Sequence, residues 1–241
     1  MLRLLFDEPR GTASGKQLQA INAIRDYIET LETNPRSVRD TATASQLQTK
    51  VRRLALWSKG FIDALNELEQ SKYCCQRYSE EIHQAYIEDM ELAELDHYHR
   101  FVYFYKNAFI RIFSVLDKLG YFMNDLYDLK TEKLKSKFSY FTVLRRMHEM
   151  HIHDGLEQQL YDLKNEYKGP MSRLRNHRNM EIHFINVEML DDLSETQPMP
   201  GVRIHVENVI GHVKDLQAGF DMVCSTLTVA FTYITKNVKK G

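Results

Sequence analysis

The sequence has 241 residues, of which 43% are hydrophobic and 27% are charged, and its formal net charge is −1. These values are those of an ordinary globular protein with enough length for one large domain or two small ones. A nearly neutral chain has no overall positive field to gather nucleic acid, so any contact with RNA or DNA must come from a local basic patch.

The cysteines and the apolar segments indicate a cytoplasmic protein. Cys74 and Cys75 are adjacent and Cys224 is far away, so the cysteines form no disulfide framework, as is usual in a reducing compartment. The N-terminal apolar run is too short for a signal peptide, and no later segment reaches the length of about 18 apolar residues that a membrane span needs. We therefore expect a cytoplasmic location and no membrane partner.

Helical spacing begins near Lys16 and continues to the break at Asn34-Pro35. A second amphipathic segment predicts a helix that ends near Ser71, and a more polar third helix is expected over residues 74–92. The next helix has the strongest pattern, since its apolar positions alternate in steps of three and four from Val102 to Leu126.

Shorter helices are predicted over residues 139–152 and 155–167, and Gly169-Pro170 separates them from a further helix. The segment VRIHV alternates and predicts a short extended piece, and a last helix runs to near Lys239. Together these elements predict an all-α bundle of six to eight helices in a single domain, residues 1–241.

One stretch, MSRLRNHRNMEIHFI, places an arginine where an apolar residue is expected. On a helix, Met171, Leu174, Ile182 and Ile185 form one apolar stripe, and Arg178 falls in its middle. A guanidinium group does not give up its charge, so in this position it needs an anionic partner, a wet cleft or a ligand. The stretch is therefore the leading candidate for a functional site.

Five residues after Arg178 comes His183, whose side chain titrates near neutral pH. A fixed cation and a titratable imidazole suit the chemistry of phosphodiesters. The two Cα atoms are about 7.5 Å apart along a helix axis, but their azimuths differ by roughly 140°. The two side chains can converge if the helix ends or bends near His183, or if two copies of the chain share the site. Asn179 lies on the histidine's side and could orient the ring or bind a phosphate oxygen.

The segment Arg178-Asn179-Met180-Glu181-Ile182-His183 resembles the signature of the HEPN superfamily of α-helical domains, an arginine followed by a polar residue and, after three more residues, a histidine. The apolar helix before it and the apolar C-terminal helix follow the order of such a bundle. The resemblance covers roughly residues 95–240, with about 1–92 as an N-terminal helical extension. Within the superfamily the chain most resembles the bacterial stand-alone group named after a clostridial protein.

The resemblance implies a metal-independent endoribonuclease without a cofactor that acts as a homodimer. His183 would assist attack of the ribose 2′-OH or protonate the leaving oxygen, and Arg178 would hold the scissile phosphate. Asn179 matches the polar residue of the signature. Such enzymes include toxins and stress or defence ribonucleases, so an antitoxin or regulatory protein is a further partner to expect. Ile185 stands where a branch controlled by nucleotidyltransferase partners has a tyrosine, so control by tyrosine modification is not expected.

Three further basic residues precede the motif on the same predicted helix: Arg173, Arg175 and His177. With Arg178 they predict a local positive surface for the RNA backbone. The alternative for each residue is a solvated helix face.

Two rivals to the ribonuclease remain open. The superfamily includes catalytically silent members that bind a nucleotide or a protein partner. Glu80-x-x-His83 and Glu94-x-x-His97 have the spacing used by di-iron helical bundles, and His148, His151, His153 and Asp154 could bind a transition metal adventitiously. The two Glu-x-x-His segments are too close in sequence for two full antiparallel helices, so we expect no metal site.

Overall fold

The computed structural model describes residues 2–34, 44–131, 139–183 and 203–240. For residues 44, 182, 183 and 238–240 only the backbone is described. Within these ranges the chain forms seven α-helices and no strand: α1 (Gly15–Thr33), α2 (Ala44–Ser79), α3 (Leu92–Leu126), α4 (Tyr140–Met150), α5 (Asp154–Glu166), α6 (Lys168–His183) and α7 (Val209–Lys240). Two short 3-10 helices cover Leu2–Phe6 and Ile87–Asp89. The predicted all-α bundle of six to eight helices is confirmed.

Most of the predicted helices are present, but the prediction of a helix over residues 74–92 is wrong. The second helix does not end near Ser71 and continues to Ser79. The following residues form a turn, an isolated antiparallel bridge between Tyr86 and His205, and the 3-10 helix. The sequence VRIHV was expected to be extended, and in the part of it that the structure describes His205 forms one side of this bridge.

The residues group into two compact units. The motif unit, which carries the Arg178 helix, comprises Met1–Gly11, Glu67–Ile112 and Tyr167–Phe220. The hairpin unit, which carries α4 and α5, comprises Thr12–Asn66, Phe113–Glu166 and Asp221–Gly241. The long helices α2, α3 and α7 each contribute one segment to each unit. That the chain behaves as a single domain with an N-terminal extension stays a prediction.

The core of the hairpin unit is built around four aromatic rings. Tyr27, Phe61, Phe122 and Phe231 come from four different helices, and their ring centroids lie 5.4 to 6.0 Å apart in the contacting pairs. Tilted and edge-on pairs at these separations are favourable for aromatic side chains. These contacts explain why the apolar faces of α1, α2, α3 and α7 carry large rings.

A tight connection joins α4 to α5. Ser139 caps the start of α4, since its Oγ accepts a hydrogen bond from the backbone N–H of Thr142 at 3.3 Å. At the other end, His151 and His153 have φ values of 50° and 54°, in the left-handed region. The left-handed residue at the end of α4 stops the helix and lets α5 begin at Asp154.

In the motif unit the N-terminal segment packs on α2. The Arg3 guanidinium lies 3.6 Å from the centre of the Tyr73 ring, and its Nη2 donates to Glu69 Oε1 at 2.7 Å. Glu8 accepts a hydrogen bond from the Tyr73 hydroxyl. The first residues of the chain are thus held by charge and ring contacts rather than by a buried apolar side chain, since none of residues Leu2–Phe6 is buried.

Candidate functional site

The helix that carries the motif, α6, packs closely on α3 and α7 within the motif unit. Met171 and Leu174 on α6 are buried. Gly219 on α7 leaves room for two side chains: an added Cβ there would lie 2.7 Å from Ile112 Cδ1 and 2.8 Å from Leu174 Cδ1. The first half of α6 is therefore fixed by the core, and the motif occupies its last turns.

Arg178 is half-buried on α6, and its neighbour restrains it. Nη2 of Arg178 donates a hydrogen bond to Oδ1 of Asn179 at 3.0 Å. Asn179 is also half-buried, so the amide contacts the guanidinium rather than extending into solvent. His183 is the last residue of α6, but its side chain lies outside the described part of the chain, as does Ile185.

His177 belongs to a group of three packed rings, which we call the His–Tyr cluster: Tyr105, His177 and His212. The Tyr105 hydroxyl and His177 Nδ1 are hydrogen-bonded at 2.7 Å. The His212 ring is stacked on the Tyr105 ring with a centroid separation of 4.7 Å and an interplanar angle of 11°. The two imidazoles meet edge to face at 4.9 Å. The cluster joins α6 to α3 and α7 immediately before Arg178.

Burial makes both imidazoles of the cluster poor bases. It lowers the pKa of His177 below the usual value for a histidine, and this effect outweighs the attraction of the Asp215 carboxylate. The pKa of His212 falls to about 4, mainly through burial and further through repulsion by His177. Both side chains are therefore neutral at pH 7. His177 does not add a positive charge to the predicted RNA surface at that pH.

Arg173 is held by a carboxylate of the same unit. Its Nε and Nη2 donate to the two carboxylate oxygens of Asp215 at 2.6 and 2.7 Å, a fork-like pair. The Asp215 side chain is only 8% exposed, whereas that of Arg173 is 58% exposed. The hydrogen bond to Asp215 raises the pKa of Arg173. Arg175 is exposed on the same helix. Contact of Arg173, Arg175 and His177 with RNA stays a prediction.

Several residues beside the motif were not expected from the sequence. Asp215 and His212 come from α7, and Tyr105 comes from α3. Lys106 pairs with Glu181 of the motif at 3.4 Å, and both side chains are largely buried. The position of Glu181 between Arg178 and His183 marks it as a candidate in the sequence, but its partner Lys106 is 75 positions away in the numbering. No local pattern identifies such partners.

The two Glu-x-x-His segments do not form a di-iron arrangement. Glu80 and His83 follow the end of α2 at Ser79, so they are not on a helix. Glu94 Oε1 instead accepts the backbone N–H groups of His83 and Gln84 at 2.6 and 2.7 Å. Within the described ranges no group of three or more His, Cys, Asp or Glu side chains is arranged to hold a metal ion.

No helix in the described ranges is long and apolar enough to cross a membrane.

A model of a HEPN-like domain family matches residues 57–235, most of the chain. The match extends over the whole of α3, α4, α5 and α6, and it includes the motif from Arg178 to His183. Comparison with curated proteins and with solved structures gave no match. The bundle, the position of the motif on α6 and the extent of the family match lead to one conclusion: the chain belongs to the HEPN-like family.

Proposed function

We propose that this protein is a metal-independent endoribonuclease that acts as a homodimer, with Arg178 and His183 at its active site. The observation that carries the proposal is a half-buried arginine, held by Asn179, five residues before a histidine on one helix of a HEPN-like domain. A half-buried guanidinium on a helix of such a domain is suited to bind a phosphate, because its planar set of N–H donors matches two phosphate oxygens.

In the proposed reaction the ribose 2′-oxygen attacks the adjacent phosphorus. His183 takes the proton of the 2′-OH or gives one to the leaving 5′-oxygen. The bond between phosphorus and the 5′-oxygen breaks, which leaves a 2′,3′-cyclic phosphate and a 5′-hydroxyl. Arg178 neutralises the charge that develops on the non-bridging oxygens, and Asn179 orients its guanidinium group.

A second copy of the chain supplies the geometry that one straight helix lacks. On a single helix the two residues differ by roughly 140° in azimuth, so we place the site in a cleft between two α6 helices related by twofold symmetry. Each protomer would contribute one arginine and one histidine. The role we infer is that of a toxin or of a stress or defence ribonuclease, controlled by an antitoxin or a regulatory protein.

The direct test compares RNA cleavage by the wild-type protein, Arg178→Ala and His183→Ala, with and without a chelator. Arg25→Ala and His99→Ala are matched controls, because both residues are exposed and lie outside the motif. We expect both motif variants to lose cleavage, both controls to keep it, and the chelator to have no effect. The cleaved RNA should carry cyclic phosphate ends. Equal activity in all five proteins would rule the mechanism out.

The alternative is a non-catalytic HEPN-like module that binds a nucleotide or a protein. It is favoured by the contacts of Arg173 with Asp215 and of His177 with Tyr105, because two of the three predicted RNA-binding side chains already have partners within the chain. Saturable RNA binding without any cleavage in the same experiment would select this alternative. Metal analysis of the purified protein tests a metal-dependent enzyme.

A further inference from the structure

An apolar groove with a volume of about 350 Å³ lies between α2 and α3 in the hairpin unit. Two buried rings that line it, Phe61 and Phe122, meet edge to face with a centroid separation of 5.9 Å. The Trp57 ring also lines the groove and is tilted against the Phe122 ring at 6.3 Å. The volume lies in the lower part of the range for small-molecule sites, and an aromatic lining is typical of such sites.

A glycine leaves the groove open on the side of α2. Gly60 lies in the middle of a 36-residue helix, where glycine is less favourable than alanine. Unlike Gly219, it is not required by close packing, because a Cβ added at Gly60 would meet nothing within 4 Å. Since Gly60 lines the groove, a larger side chain at this position would project into it. The glycine therefore keeps the space open although it weakens the helix.

Three large side chains that line the groove are also exposed to solvent. The exposed fraction is 68% for Leu56, 39% for Trp57 and 55% for Tyr121. Single exposed apolar residues are common on protein surfaces, but several around one groove form a patch of the kind that marks a binding surface. The aromatic rings favour an aromatic occupant, because rings pair well in tilted and edge-on arrangements.

The charges near the groove favour an anion. Lys118 from α3 is exposed, and among the described residues that line the groove it is the one charged group. No carboxylate in the described part of the chain pairs with it. Arg53 and Asp125 come from the same two helices but neutralise each other, since Nη2 of Arg53 donates to both carboxylate oxygens at 3.1 and 2.8 Å. The groove thus combines an apolar aromatic surface with a single available cation.

From these groups we propose that the α2–α3 groove binds a small aromatic monoanion, namely a carboxylate attached to fused rings. The ring system lies on Phe61 and Phe122 and contacts Trp57, and the carboxylate pairs with Lys118. A second copy of the chain is a poorer occupant, because three partly exposed side chains fall far short of the roughly 800 Å² that each partner buries in a standard interface. The site does not depend on the proposed ribonuclease activity.

The test is calorimetric titration of the full chain at pH 7 with two probes of the same shape, the anion 2-naphthoate and the neutral 2-naphthamide. We expect one 2-naphthoate per chain. Binding of 2-naphthamide should be weaker by roughly 3- to 10-fold, the range expected for a partly exposed ion pair. Lys118→Gln should remove this difference by weakening 2-naphthoate alone. Lys59→Gln is the matched control, because Lys59 is exposed on α2 and does not line the groove.

Trp57 reports where the probes bind. It is the only tryptophan in the sequence, so the protein gives a single indole N–H signal in a nitrogen–proton NMR spectrum, and we expect both probes to shift this signal. Gly60→Leu should abolish binding of both probes, because the added side chain fills the groove. The variant should remain folded, since leucine is a better helix former than glycine, and circular dichroism checks that it does.

Several results would overturn the proposal. These are no binding of 2-naphthoate to the wild-type chain, equal affinity for the two probes, and full binding by a folded Gly60→Leu variant. An indole signal that changes with protein concentration in the absence of probe would show that a second copy covers the groove, and it would also overturn the proposal.

Discussion

The Tyr105 hydroxyl and His177 Nδ1 form a hydrogen bond of 2.7 Å between residues that are 72 positions apart in the sequence. It links the central helix α3 to the helix that carries the motif. Because His177 immediately precedes Arg178, the bond fixes the backbone from which the arginine extends. The geometry of the candidate site thus depends on a contact outside the motif.

Removing this hydroxyl should destabilise the protein measurably. We expect Tyr105→Phe to lower the free energy of unfolding by about 1 kcal/mol, since one hydrogen bond is lost and a partly buried imidazole nitrogen loses its partner. Denaturant unfolding followed by circular dichroism measures the change. Tyr103→Phe is the matched control, because Tyr103 is on the same helix and is 65% exposed. Equal stability of the two variants would contradict a structural role for the bond.

The largely buried His212 predicts a loss of stability in acid. Its pKa is about 4 in the folded chain against 6.5 for a free histidine. Between these values the unfolded chain binds a proton that the folded chain does not, so stability is complete above pH 6.5 and falls as the pH drops toward 4. The loss should reach roughly 2 to 3 kcal/mol.

Unfolding midpoints measured between pH 4 and 7 test this expectation. His212→Gln removes the titrating group and should reduce the loss of stability between pH 6.5 and pH 4. His177 accounts for part of the loss that remains. The exposed His99 provides the control substitution, His99→Gln, which should leave the loss of stability in acid unchanged. If His212→Gln loses as much stability in acid as the wild-type protein, other groups cause the loss.

Two glycines in long helices should respond oppositely to alanine. Nothing lies within 4 Å of a Cβ added at Gly60, so Gly60→Ala should stabilise the protein by about 0.5 to 1 kcal/mol through lower chain entropy. At Gly219 the same methyl would push against Ile112 and Leu174, both fully buried. We expect Gly219→Ala to destabilise by about 1 kcal/mol, because overpacking exceeds the gain in helix propensity. A stabilised Gly219→Ala would mean that α6 can shift freely.

Asn179 should act through Arg178. If the proposed reaction occurs, we expect Asn179→Ala to lower kcat/KM for RNA cleavage about tenfold in the wild-type background, because the guanidinium is then less well oriented. Arg178→Lys should lower kcat/KM by about 100-fold, since an ammonium group cannot bind a phosphate in a fork. In the Arg178→Lys background, the Asn179 substitution should add little. If Asn179→Ala lowers kcat/KM by the same factor in both backgrounds, the Asn179 amide contacts RNA independently of Arg178.

Local patterns predicted much of this protein. The three-and-four spacing from Val102 to Leu126 predicted the central helix, which the structure extends from Leu92 to Leu126, and similar spacing predicted α1 and α7. The pattern failed between Ser71 and Leu92 because Tyr78, Ile82 and Tyr86 keep helical spacing, although the chain leaves the helix after Ser79. The backbone of Ala85 and Ile87 there pairs instead with Val206 and Ile204, about 120 positions away in the numbering.

The sequence by itself determined the helical class, the family signature and the arginine at an apolar position, since each depends on residues within a few turns of one another. Only the tertiary structure decided the surroundings of the motif, namely the neutral His177 beside Tyr105 and the Arg173–Asp215 pair. The physical reason is that burial and pairing set the charge of a side chain, and the partners come from segments far away in the chain. An arginine or histidine in a motif acquires its chemical character only when those segments pack around it.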